Sequence, residues 1–301
     1  MPAPQAVPSP PSSPESAANG DLAAFTFVQS LAAELSSGRI EFPSFPDIAL
    51  RVRKALANEN VTPDVVVRVV SSEPALAARL LNIANSAALN FSGKPITDLR
   101  TALARLGFNM VRSAAISFAM WQLKRSDSLK GFEKPLDVLW RRSTEVAAMS
   151  FVVARRLTRI SPDTALLAGL LHAVGETYIL ARVRQHPALF ADPTNYQIVV
   201  RDWHAGIAKA LLETWGIADE VVSAVSDFED LERTHNGPPD LTDVLTVAHL
   251  LVSIQGSPET IELSIQGVAA CKRMLLDKTA CTELIEASAG EFAAMRQALG
   301  C

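Results

Sequence analysis

The chain has 301 residues, 49% hydrophobic and 20% charged, which is enough apolar material for one large domain or two smaller ones. Its net charge of −4 argues against a general nucleic-acid coat, which needs a basic face. The cysteines, Cys271, Cys281 and Cys301, lie late in the chain without a C-x-x-C pair. That disfavours a disulfide framework or a thiolate zinc site and fits a reducing cytoplasm.

Residues 1–20 are rich in Pro, Ser and Ala and predict a disordered tail, with a Pro-rich docking peptide as the sharper alternative. The segment lacks the basic start and apolar core of a secretory signal. No later run reaches the ~18 uncharged apolar residues of a spanning helix, so no membrane association is expected.

From Asp21 the pattern is helical. One start signal recurs as "TPD" at 62–64, "SPD" at 161–163 and "SPE" at 257–259. The hydroxyl residue caps free backbone N–H groups, proline at the first helical position loses nothing, and the acid suits the positive helix end. Pro74 sits similarly in "SSEPALAARLL". Apolar stripes follow at helical spacing: Ile48, Val52, Ala55 and Leu56, then Leu139, Ser143, Val146, Ala147, Ser150, Val153, Ala154 and Leu157, then His204, Ala208, Leu211 and Trp215. "YQIVVRDW" at 196–203 is the one run ambiguous between helix and strand. The prediction is an all-α fold, with small residues inside it that let helices approach closely. Arg51, Arg53 and Lys54, and Arg155, Arg156 and Arg159, are expected to be solvated helix faces.

Connections are expected at "SDSLKGFEKP" (126–135) and "ERTHNGPPDLT" (232–242). They divide the chain into an N-terminal lobe of about 22–125, a middle lobe of about 136–231 and a C-terminal helical extension over 236–301. The polar stretch Asn82, Asn85, Ser86, Asn90, Ser92 and Gly93 predicts a helix end and turn, followed by a helix from about Thr97. A polar recognition edge is the other reading.

Of the five histidines, His186 and His235 are expected to be exposed and inert, and His249 to be a core residue of an apolar helix. His172 ends the apolar run "TALLAGLLHAVGE" and His204 lies on an inward stripe. His172 is open to three readings: metal ligand, packed core histidine, or remnant of a site that has lost its chemistry. A helix-borne hydrolytic metal site takes several His and Asp ligands, yet the position after His172 is Ala173. Glycine-rich nucleotide loops, H-E-x-x-H and G-x-S-x-G are absent.

The ordered pieces "FPSFPDIAL", "SSEPALAARLLNIANSA", "PITDLRTALARLG", "LWRRSTEVA", "AGLLHAVGE" and "HAGIAKALLETWGI" resemble HDOD domains over about residues 40–230. HDOD domains are bacterial all-α modules related to the HD phosphohydrolases. The resemblance implies a multi-helix HD-like fold with two helical lobes. It also places the degenerate pocket at Arg142, His172, Ala173, Glu176, His204 and Asp227. Where the enzymes keep metal-binding His, His-Asp and later His residues, this chain has Arg142, His172-Ala173 and Asp227-Phe228, with His204 retained. Arginine cannot deprotonate to ligate. The implied function is therefore non-catalytic and without a cofactor: regulation through other signalling proteins, near cyclic-dinucleotide or two-component systems. The alternatives are a sensor of a nucleotide, phosphate ligand or nucleic acid in that pocket, and an atypical metal-dependent phosphohydrolase.

Overall fold

The computed structural model describes residues 14–37, 47–58, 60–90, 92–125, 129–183, 186, 193–254 and 258–299, and every regular element among them is helical. The first thirteen residues of the expected tail, the "FPSF" start and Cys301 lie outside the described residues. Residues 14–20 do not belong to a disordered tail: α1 runs Pro14–Ser37.

The N-terminal lobe follows with α2 (Asp47–Leu56), α3 (Pro63–Ser71), α4 (Pro74–Ala84) and α5 (Leu99–Lys124). Proline opens α3 and α4, as the start signals predict, but Thr62 makes no side-chain cap bond at α3, so the hydroxyl part of the signal does not hold there. Asp98 caps α5 by accepting from the Thr101 N–H at 2.8 Å. Gly107 interrupts α5 at φ 74° and ψ 164°, a conformation that L side chains rarely adopt. In the polar stretch before α5, Asn85 ties the end of α4 to the following segment. The Asn85 side chain donates to the Leu81 and Ile96 carbonyls and accepts from the Ile96 N–H, at 2.8–2.9 Å.

The second lobe contains α6 (Glu133–Leu157), α7 (Pro162–Leu171), α8 (Val174–Val183), α9 (Pro193–Thr214), α10 (Asp219–Asp227) and α11 (Leu241–Ile254). The ambiguous run 196–203 lies inside α9 and is helical. Ser161 caps α7, accepting from Thr164 N–H at 3.4 Å. The third start signal opens only a 3₁₀ turn, Pro258–Thr260, with Ser257 outside the described residues. Short α12 (Ile261–Ile265) and α13 (Ala269–Arg273) lead to α14 (Lys278–Ala298).

Two apolar cores share α6 and α7. Ala147, Ala148, Phe151, Leu166 and Leu170 face the N-terminal core, while Met149, Val152, Val153, Leu167 and Leu171 face the other. Glycine permits this spine: a Cβ on Gly169 would stand 2.5 Å from the Ala147 Cα. Pro162–Arg182 is long and apolar enough to cross a bilayer by length and composition, charged residues included, but 83% of its most apolar window is buried inside the fold.

The late helices join both cores. Val244, Leu245, Val247 and Ala248 of α11 enter the second core, and Met295, Ala298 and Leu299 enter the first. Arg155 and Arg156 are more than a solvated face, because both pair with Glu291 of α14, at 2.8 and 3.1 Å. Cys271 and Cys281 are buried free thiols, and burial pushes them up to about 12 and 11.

Candidate functional site

The end of α7 delivers His172 to a cavity of about 250 Å³ lined by Arg142, His172, Ala173, Glu176, His204, Glu229 and neighbouring residues. A run that is apolar on every face must be buried all round, and α7 is buried from Ala165 to Leu171. His172 is 3% exposed and His204 7%. α8 and α9 meet at this point because residue 175 is glycine. A Cβ there would stand 1.9 Å from the His204 carbonyl oxygen.

The hydrogen bonds set the roles of the imidazoles. His172 Nδ1–H donates to the Gly169 carbonyl at 2.7 Å, while Nε2 is buried without a partner among the described residues. Burial first, then the neighbouring His249, pushes His172 down to about 3, so the ring is neutral near pH 7. Arg142 Nη2 donates to His249 Nε2. Burial first, then the Arg142 charge, takes His249 down to about 4. His204 Nε2–H donates to Glu229 at 3.0 Å, and that bond holds the carboxyl below its ordinary range. Burial pushes the Glu176 carboxyl up, partly offset by Arg142.

Five of the six expected pocket positions therefore come together. Asp227 does not. It is exposed at the end of α10 and faces the Arg233 charge, and Glu229 takes the place in the pocket assigned to it. The helix ends within this stretch, so the last turn points Asp227 outward and the chain beyond it inward. His249 is more than core filling: it is half-buried, bonded to Arg142 and 5.7 Å from the His172 ring. Glu145, one turn along α6 from Arg142, meets Arg296 at 3.3 Å.

The two other histidines differ from the expectation too. His186 is half-buried edge-on against Phe27, with ring centroids 5.0 Å apart. His235 sits in a network before α11, 2.9 Å from Asp243. Asp240 and Asp243 cap one another reciprocally, each accepting the other's backbone N–H at 3.0 Å. Arg233 and Arg273 complete the network.

No three possible ligand atoms of the cavity lie within 4.8 Å of one another among the described residues. Among the described residues, the one trio of possible ligand atoms within 4.8 Å of one another is His235, Asp240 and Asp243, outside the cavity. Two arginines already neutralise that trio. Within the cavity, Arg142 occupies the His249 lone pair, Glu229 holds the His204 N–H, and Ala173 offers no oxygen.

Comparison with known proteins agrees with this architecture. A family model, "HDOD domain", matches residues 42–231, well over half of the chain. A presumed metal-dependent phosphohydrolase from Shewanella amazonensis SB2B superposes with a TM-score of 0.72 at 21% identity, over 92% of this chain and 99% of that one. An HDOD domain protein from Geobacter sulfurreducens gives 0.62 at 23%, over 90% and 96%. At such identities the likeness speaks for the fold. An uncharacterized protein of Treponema pallidum (strain Nichols) is 22% identical over 239 residues, which is 74% of this chain and 44% of that protein, so the chain spans less than half of that relative. Because the family model covers residues 42–231, well over half of the sequence, the chain belongs to the HDOD domain family.

Proposed function

We propose that the chain is a non-catalytic regulatory module that acts by contact with other signalling proteins, in the setting of cyclic-dinucleotide or two-component signalling. The observation that carries this reading is the Arg142–His249 bond beside Ala173. A metal-activated water needs a cation held well enough to lower the water's pKa. A fixed guanidinium charge in its place opposes such a cation, and neutral His249 has no free Nε2 lone pair for one.

The test separates chemistry from contact. A strain lacking the chain is complemented with a folded His172→Gln/His204→Gln double variant, and motility, biofilm and stress responses are scored. Full complementation is expected. Loss of complementation, together with manganese-dependent phosphoester hydrolysis by the parent protein alone, would overturn the reading.

A second reading, a small-molecule sensor in the same cavity, is supported by the unpartnered His172 Nε2, an acceptor awaiting a donor. Glu176 and Glu229 line the cavity together with Arg142 and Arg201, so a ligand bearing both N–H or O–H donors and phosphate oxygens finds partners there. Calorimetry with cyclic dinucleotides tests this reading, and no heat beyond dilution counts against the nucleotide form.

A further inference from the structure

A second cavity of about 180 Å³ lies where the two lobes meet, separate from the His172 cavity. Asn109, Arg112 and Ser113 of α5 form the wall from the N-terminal lobe. Asp163 and Thr164 at the start of α7, and Ile217, Ala218 and Glu220 around the start of α10, form the other. Clefts between lobes are common places for small ligands.

Arg112 is the unusual group in this cleft. Its Nε is buried without a hydrogen-bond partner, and the residue makes no ion pair among the described residues. Leaving a buried donor on a charged group unsatisfied is costly, and such a group calls for a water or an ion. The adjoining carboxyl does not answer it. Burial alone moves Asp163, toward its neutral form, with no contribution from Arg112. Ser113 is already occupied, donating to the Asn109 carbonyl at 3.0 Å. The opening turn of α10 faces the same space, and its N-cap, Ala218, supplies no side-chain acceptor.

We infer that this cleft binds a compact oxyanion, phosphate or carboxylate, carried on a small molecule, with Arg112 as its principal partner. Guanidinium presents a fork of donors that matches such groups. The Asp163 carboxyl and the Asn109 side chain are placed to contact the rest of the molecule. Because α5 belongs to one lobe and α7 and α10 to the other, occupancy ties the lobes together. A ligand that binds only the folded state also raises the unfolding midpoint.

The probes are inorganic phosphate, sulfate and malonate, titrated into the full chain by calorimetry and followed by thermal unfolding. Saturable binding of at least one probe is expected, with a raised midpoint. Arg112→Gln should weaken it at least about tenfold, while Arg201→Gln, at an exposed residue of the other cavity already paired with Asp202, should leave it unchanged. If Arg112→Gln does not fold, Ala218→Asp replaces it, because its carboxylate competes for the start of α10 and should also weaken binding. A selenate soak should place anomalous density beside Arg112. Failure of all three probes to bind saturably, or equal binding by a folded Arg112→Gln protein, would overturn the inference. Neither result bears on the proposed regulatory role.

Discussion

Arg142 of α6 donates to Nε2 of His249 on α11, so a cation and a neutral imidazole are joined at the rim of the cavity that His172 closes. The pair links two helices 107 residues apart in the chain. It also makes recovery of a metal site by a single change implausible on chemical grounds. Ala173→Asp supplies one carboxylate, but that group meets the Arg142 charge before any dication does. The expected outcome is a folded variant without added metal and without manganese-dependent phosphoester hydrolysis. Elemental analysis after purification without chelator and a phosphoester assay check it, and activity in this single variant would contradict the proposed loss of chemistry.

The buried imidazoles make stability depend on pH. His172 lies at about 3 in the folded protein against an ordinary 6.5, and His249 at about 4. Between those values the unfolded chain binds more protons than the folded one. The stability they contribute is complete above about pH 6.5 and is lost as pH falls toward 4 and below. Asp163 and Glu176, both raised by burial, act in the opposite direction. The clean measurement is therefore a difference: urea unfolding of the parent and of His172→Phe at pH 7, 6 and 5. Across the lower part of that range the parent should lose up to about 1.4 kcal/mol per pH unit more than the variant. Parallel profiles would mean that His172 is not held neutral.

Close helix approach at two glycines is testable by adding one methyl group. Gly175→Ala would drive a Cβ onto the His204 carbonyl, and Gly169→Ala onto the α6 backbone. Both obstacles are backbone, so a helix must shift, and each variant should lose about 2–3 kcal/mol or more. Gly206→Ala in α9 has nothing within 4 Å of the new methyl. It should be neutral or stabilise by up to about 1 kcal/mol, because glycine is a poor helix former. Denaturant midpoints of the three variants check the contrast.

The helical class and the proline starts of α3, α4 and α7 are legible because each depends on local pattern, whereas the five pocket residues are placed by the resemblance to HDOD domains. What escaped depends on tertiary context. The sequence of α6 shows one stripe, whereas Ser143 and Thr144, and then Val146–Ala154, are buried between two cores. A 3.6-residue period records one buried face well and two poorly. Glu229 escaped because it follows the end of α10, where helical spacing no longer says which way a side chain points. His249 escaped because an apolar helix hides a partner 107 residues away. The setting of His235 is hidden in the sequence because the Asp240–Asp243 reciprocal cap that holds it has aspartate at both positions instead of the usual Ser/Thr and Glu.

Asp243 is 2% exposed, accepts from Arg273 at 2.6 Å and from the Asp240 N–H at 3.0 Å, and meets His235 at 2.9 Å. Removing its carboxylate leaves the largely buried Arg273 guanidinium without its charge partner and removes the half of the reciprocal cap that holds the Asp240 N–H before α11, the helix that carries His249. Breaking a buried pair from one side costs far more than the pair contributes, because a charge is left unpaired. Asp243→Ala should therefore destabilise the protein by about 3 kcal/mol or more. Asp243→Ala combined with Arg273→Met should recover part of that loss, since the stranded charge is then gone. Urea unfolding of the two variants against Arg273→Met alone measures the coupling. A double variant no more stable than Asp243→Ala would place the loss in the cap instead of the ion pair.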